Sequence, residues 1–153
     1  MTVLFKDCLC FSLGRISKKL NRVTRESISP YGLTTSQFFL LIALYEENGI
    51  LISRLSEKVA VDKATLTGLL DRMERDDLVA RKADPDDRRA IRIFLTDKAI
   101  AMKDDLINVY HRNNRMFLSV FSRDEKEMFD NIVNRFDHTE FTVSNTEKDS
   151  QDQ

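Results

Sequence analysis

Chain breakers are scarce in this sequence: four glycines and two prolines in 153 residues, with no tryptophan. That excludes a loop-rich architecture and favours long helices. Cysteine is just as sparse. Cys8 and Cys10 are too few for a disulfide framework, and at i and i+2 on a helix they point to different faces. Two thiols and no basic-then-apolar leader give the expectation of a reducing, cytoplasmic setting. No apolar run approaches the ~20 residues that span a bilayer, so no membrane partner is expected. Catalytic signatures are missing too: there is no Gly-rich phosphate loop, no HExxH, no CxxC and no GxSxG. An enzyme is therefore not expected, nor a cofactor. His111 and His138 read as surface residues of late helices, and a metal site would need them to meet Cys8 or acids across two chains. Finally, a strong net charge is lacking. The formal total is −1, which argues for a soluble protein without general affinity for polyanions.

What charge there is lies unevenly. Residues 1–30 carry six Lys/Arg against two Asp/Glu, residues 53–92 ten against nine, and residues 96–153 eight against twelve. Any nucleic-acid role must then come from local charge, and the arginines of the central stretch are bunched.

Hydrophobic spacing predicts a helix over 3–27. Leu9, Leu13, Ile16, Leu20 and Val23 form one line, and Leu4, Cys8 and Phe11 a second beside it, a face broad enough for a partner chain as well as the chain's own core. Ser29-Pro30-Tyr31-Gly32 breaks it. Thr34 and Gln37 form a capping box for a strongly apolar helix ending near Asn48-Gly49. A β-like run at 50–52 precedes a short helix through Val59, with Ser53 as its expected cap. After a turn at Val61-Asp62, Asp62 caps a longer helix through Arg75. Residues 79–82 and 90–95 read as two strands around Asp84-Pro85-Asp86-Asp87-Arg88-Arg89. A helix from Thr96-Asp97 carries Ala99, Met102, Leu106, Val109, Asn113, Phe117 and Val120. Ser122 and Glu125 form another capping box, before Met128, Phe129, Ile132, Val133 and Phe136. From Thr142 onward the composition is polar and expected to be disordered.

Two helices, a tight turn and a two-stranded hairpin are the order of a winged helix-turn-helix, within a mainly α (α+β) fold. In such folds a helix enters the major groove of double-stranded DNA and reads bases from its N-terminal turns. With Leu66, Leu69, Leu70 and Met73 inward, that helix leaves Lys63, Ala64, Thr65, Thr67, Gly68 and Arg72 outside. At the hairpin tip, Arg89 suits the negative minor groove, Asp87 stands where its carboxylate could orient the Arg89 guanidinium, and Arg88 suits a phosphate. An ordinary surface helix with a solvated turn stays open beside this. So does a winged-helix interaction module that binds no DNA, although bunched arginines argue against it.

The stretch from Leu55 to Ala99 resembles the DNA-binding core of MarR-type transcription regulators, most specifically in TLTGLLDRME, in LVAR, in the Asp87-x-Arg89 wing signature and in Leu95-Thr96. The resemblance implies a homodimer, with residues 1–33 and 97–141 joining the subunits in an intertwined lobe and 34–96 binding a pseudo-palindromic operator as a repressor. It implies phosphate contact near Ser53, and DNA release by a small effector, often an aromatic acid. Phe11, Arg15, Phe38, Phe39 and Ile42 are the candidate effector residues. Peroxide-sensing members use a first-helix cysteine, and Cys10 falls at a similar place. The activating tyrosines are replaced by Thr24 and Thr35, which favours Cys10 as a small buried apolar residue. In one departure, Asp77 stands where the family has a glycine ending the helix, so a left-handed aspartate is expected there.

Overall fold

The computed structural model describes residues 8–87 and 89–142. Leu4, Arg88 and the polar segment 143–153 lie outside the described residues.

Helix α1, Leu9–Ile28, follows the predicted periodicity, but only Thr24 and Ile28 are buried on it. Leu9, Leu13 and Ile16 stay about half exposed among the described residues. Cys10 is exposed as well, so the expectation of a buried small apolar residue fails within the single chain. A single 3₁₀ turn, Ser29–Tyr31, closes on Gly32 at φ 66°, and both breaker residues act as expected. Helix α2, Thr35–Glu46, begins with the predicted capping box: Gln37 N–H donates to Thr34 Oγ1 at 3.2 Å and Thr34 N–H to Gln37 Oε1 at 2.9 Å. It is apolar on nearly all sides and buries Phe38, Leu40, Leu41, Ala43 and Leu44, as a central helix must.

The chain then turns at Gly49, φ 80°, where an added Cβ would lie 2.8 Å from the Phe94 ring. Only glycine meets both the left-handed backbone and that close approach. Strand β1, Ile50–Leu51, runs directly into helix α3, Ile52–Lys58. This corrects the capping expectation: Leu51 holds the cap position without a side-chain bond, and Ser53 is already inside the helix. The β1 pairing commits Ile50 and Leu51 to the sheet, so the helix must start at once. Ala60, at φ 51°, and Val61 carry the chain into helix α4, Lys63–Arg75, capped by Asp62 as predicted. Asp77 takes the expected left-handed conformation, φ 57°.

Strands β2, Val79–Ala83, and β3, Ile91–Leu95, pair antiparallel from Val79↔Leu95 to Ala83↔Ile91. β1 joins the other edge of β3 through Ile50↔Ile93, giving the order β1-β3-β2. Thr96 caps helix α5, Asp97–Ala101, and its hydroxyl also donates to the Asp77 carbonyl at 2.7 Å, tying this helix to the end of α4. The single long helix expected from here is broken at Met102 before helix α6, Lys103–Leu118. Val120 lies past its end and is exposed, so it does not extend the buried line. Ser122 and Glu125 make the predicted capping box of helix α7, Arg123–Asp137.

The chain divides into two compact units between Arg115 and Met116. The core of the first unit joins Leu41 and Leu44 of α2, Leu55 of α3, Leu66, Leu70 and Met73 of α4, Ile93 of β3 and Leu106 of α6, all fully buried. Each such side chain is worth about 1.5–3 kcal/mol of burial, enough to fix α4 against the sheet. In the second unit α7 buries no residue of its own.

Candidate nucleic-acid interface

The i, i+4, i+7 pattern of Leu66, Leu70 and Met73 turns one stripe of α4 to the core and its opposite stripe to solvent. Lys63, Ala64, Thr65, Thr67 and Arg72 are accordingly exposed, and Gly68 is half-exposed. At the helix start the Asp62 carboxylate accepts from Thr65 N–H at 2.9 Å and from the Thr65 hydroxyl at 2.6 Å. These two bonds, the hydroxyl first, hold the Asp62 carboxyl below the ordinary aspartate range. The Thr67 hydroxyl donates to the Lys63 carbonyl at 2.7 Å. Both threonine protons are thus used inside the helix. What the threonines offer outward is acceptor lone pairs and methyl groups, a surface suited to base amino groups and the thymine methyl.

Gly68 sits in mid-helix with open space where a Cβ would stand. Nothing among the described residues requires glycine there, and it weakens the helix by roughly 0.5–1 kcal/mol relative to alanine. Arg72 donates Nε–H to the Gly68 carbonyl at 3.1 Å, which swings its guanidinium along the same exposed stripe. Arg72 also lines a cleft of about 410 Å³ with Arg75, Leu69 and the start of α2.

Between β2 and β3 the loop is organised by Asp84, a residue read from the sequence only as part of a turn. Asp84 is 6% exposed. Its Oδ1 accepts the N–H groups of Asp86 and Asp87 at 2.8 and 3.1 Å, and Oδ2 accepts Arg92 Nε at 2.5 Å. The Asp86 N–H most of all, then Arg92 and the Asp87 N–H, pull its carboxyl below the usual range against the opposing effect of burial. Arg92 completes the chain of bonds by donating to the Gly49 carbonyl at 2.9 Å. Loop closure comes from Asp84 N–H to the Ala90 carbonyl and Ala90 N–H to the Asp87 carbonyl, both 2.9 Å. Asp87 differs from expectation in one respect. Its Oδ1 accepts the backbone N–H of Arg89 at 2.9 Å, so it shapes the loop under Arg89 and leaves the side chain outward. Arg89 is exposed at the tip.

Beside the loop, Lys82 stands opposite Arg92 in register, an unfavourable like-charge pair. Each finds another partner: Lys82 lies over the Phe94 ring, 4.9 Å from its centroid, and Arg92 turns to Asp84. Ser53 is exposed in the first turn of α3. Of the effector candidates, Phe38 is a core residue at 1% exposure, Ile42 is half-buried, and Phe39 is 46% exposed with its ring 5.3 Å from that of Phe38. Phe11 and Arg15 lie one turn apart on the exposed part of α1. Arg81, Asp84 and Arg92 are not among the site residues that the sequence suggests. Their roles depend on strand register, for which one-dimensional spacing carries little signal.

Residues 33–91 match the MarR family. Over 139 residues the chain is 31% identical to the HTH-type transcriptional regulator MgrA of Staphylococcus aureus, covering 88% of this chain and 93% of that relative. A solved MarR transcriptional regulator from Methanosarcina mazei Go1 is similar at TM-score 0.67 and 28% identity, over 82% of this chain and 94% of that one. The overoxidized AbfR bound to DNA is similar at TM-score 0.69 and 25% identity, over 85% of this chain and 90% of that one.

Proposed function

The chain belongs to the MarR family and is a winged helix-turn-helix transcription regulator of that type, and from that premise we propose that it works as a homodimeric repressor of a pseudo-palindromic operator. In this reading α4 enters the major groove through Lys63, Ala64, Thr65, Thr67, Gly68 and Arg72. The wing places Arg89 in the minor groove over a loop shaped by Asp84 and Asp87, with Arg88 and Ser53 toward phosphates. Residues 34–96 read DNA, while 1–33 and 97–141 join the subunits.

The observation that carries the DNA reading is Gly68. A glycine weakens the middle of α4 with open space above it, between Thr67 and Arg72 on the exposed stripe. That arrangement is what close approach of a duplex would require. AbfR, whose fold is similar, binds DNA. Dimerisation is supported by α1 and α7, whose apolar stripes are exposed, and by Gly14, a second mid-helix glycine with open space at its Cβ. Selection from random duplex DNA tests the proposal. An enriched inverted repeat with half-sites about one helical turn, ~10 bp, apart is expected from two-fold symmetry. No enrichment, or a single asymmetric site, contradicts it.

Release by a small aromatic acid belongs to the same reading, with Arg15 as carboxylate partner and Phe11, Phe39 and Ile42 as apolar candidates, while Phe38 is taken up by the core. A benzoate series should raise the melting temperature of the wild type and leave Arg15→Ala unmoved. An equal rise in both removes Arg15 from the site. A second reading, peroxide sensing through Cys10, is favoured by the exposure of that thiol. Peroxide-driven DNA release that persists in Cys10→Ser rules it out.

A further inference from the structure

One arginine in the DNA-reading region points away from the interface. Arg81, in the middle of β2, keeps only 24% of its side chain exposed. Its register partner is the fully buried Ile93, so its side chain leaves the sheet on the face that packs against α4. There Nη2 pairs with Asp71 Oδ1 at 2.7 Å and Nη1 with Glu74 Oε2 at 2.8 Å. Nη2 also donates to the Thr67 carbonyl at 3.3 Å, and the Arg81 backbone N–H to Glu74 Oε1 at 3.3 Å. Thr67, Asp71 and Glu74 are spaced by four and three residues, one stripe along the flank of α4. A single planar guanidinium therefore grips two turns of the helix from the strand that leads into the wing.

We propose that Arg81 is a positioning residue for DNA recognition: it holds the wing at a set angle to α4 without touching DNA. Exposed ion pairs taken singly contribute little stability. The weight of Arg81 lies in geometry, since a forked donor on β2 with three partners on α4 restricts the angle between these two rigid elements. The same contacts neutralise part of the negative charge that Asp71 and Glu74 would otherwise present to a polyanion. A lysine would keep the charge and lose the fork.

The inference rests on the DNA-binding reading, so its test has one arm that uses DNA and one that does not. Without DNA, amide hydrogen exchange in Arg81→Ala should become about tenfold faster over residues 79–95 and stay unchanged in α6, because the brace is lost locally and the core is not. With the operator selected by the wild type, Arg81→Ala should lose about tenfold in specific affinity and less than about twofold on random duplex. Arg81→Lys should fall between, and it decides the matter if the alanine variant does not fold. Arg81→Glu combined with Glu74→Arg should recover most of the specific affinity. Equal loss on specific and random DNA with a shallower salt dependence would make Arg81 a phosphate contact and overturn the proposal. Unchanged exchange and affinity would overturn it too. If the wild type selects no operator, the DNA reading fails, and the exchange arm still decides whether Arg81 braces the wing.

Discussion

Helices α4 and α7 are nearly equal in length, 13 and 15 residues, and both are amphipathic, yet the chain treats them differently. The apolar stripe of α4 is fully covered, with Leu66, Leu70 and Met73 at 0% exposure. On α7 the equivalent stripe of Met128, Phe129, Ile132, Val133 and Phe136 is 40–63% exposed, and the helix buries nothing. A side chain left in water contributes none of the burial energy its sequence spacing suggests. Periodicity therefore identifies an apolar face without saying which chain covers it. The helix completed by its own chain exposes threonines, cations and a glycine; the incomplete one exposes an apolar patch of the kind that marks association.

The largest effect that could break this contrast comes from a charge in the α7 stripe. Ile132→Glu should leave a species of one chain, 17.8 kDa, in sedimentation, where the wild type is expected to run at twice that mass. Operator affinity should fall by about a hundredfold or more, because two linked half-site contacts become independent. A variant that stays dimeric would mean that α7 is not part of the joining face.

Acid probes the other region next. In the folded chain the Asp84 carboxyl lies below its ordinary value, held there by the Asp86 N–H and Arg92. A depressed folded pKa contributes stability above the unfolded value of about 3.9, and that contribution is lost as pH falls through the folded value. Melting of wild type and Asp84→Asn should therefore differ most near neutral pH and converge below about pH 4. A gap that stays constant across that range would assign the loop's order to something other than the Asp84 charge.

The smallest effect sharpens the comparison most. Gly68→Ala should stabilise the fold by about 0.5–1 kcal/mol, since a helix interior gains from alanine and the added methyl meets only open space. Operator binding should weaken several-fold at the same time. Opposite signs in the melting and binding experiments would set Gly68 apart from a packing residue. Improvement in both would leave the glycine without a functional reason.

Much of the fold was legible because its punctuation is local. Thr34, Asp62 and Ser122 all cap the helices that their side chains announced. Gly32 ends the break that Ser29-Pro30 opens, and Asp77 takes the left-handed conformation expected of it. Expectations failed where a neighbour distant in sequence decides. Ser53 lost its cap because β1 pairs with β3 immediately before it. The interruption at Met102 and the left-handed Ala60 carry no glycine or proline to signal them. In the candidate interface, Lys63, Thr65, Thr67, Gly68, Arg72 and Arg89 could be named from helical phase and loop position. The aim of Asp87 at a backbone N–H, and the bracing by Arg81 and Arg92, required the register of the hairpin.

If the exposed stripe of α4 and the charged wing tip form one DNA-binding surface, Arg89 is its most sensitive point. Affinity for the selected operator is measured from low to high salt for the wild type and Arg89→Ala. Binding about tenfold weaker is expected for the variant, with a log–log salt slope shallower by about one per subunit, as loss of one counterion-releasing contact requires. An unchanged affinity and an unchanged slope would contradict a single DNA-binding surface.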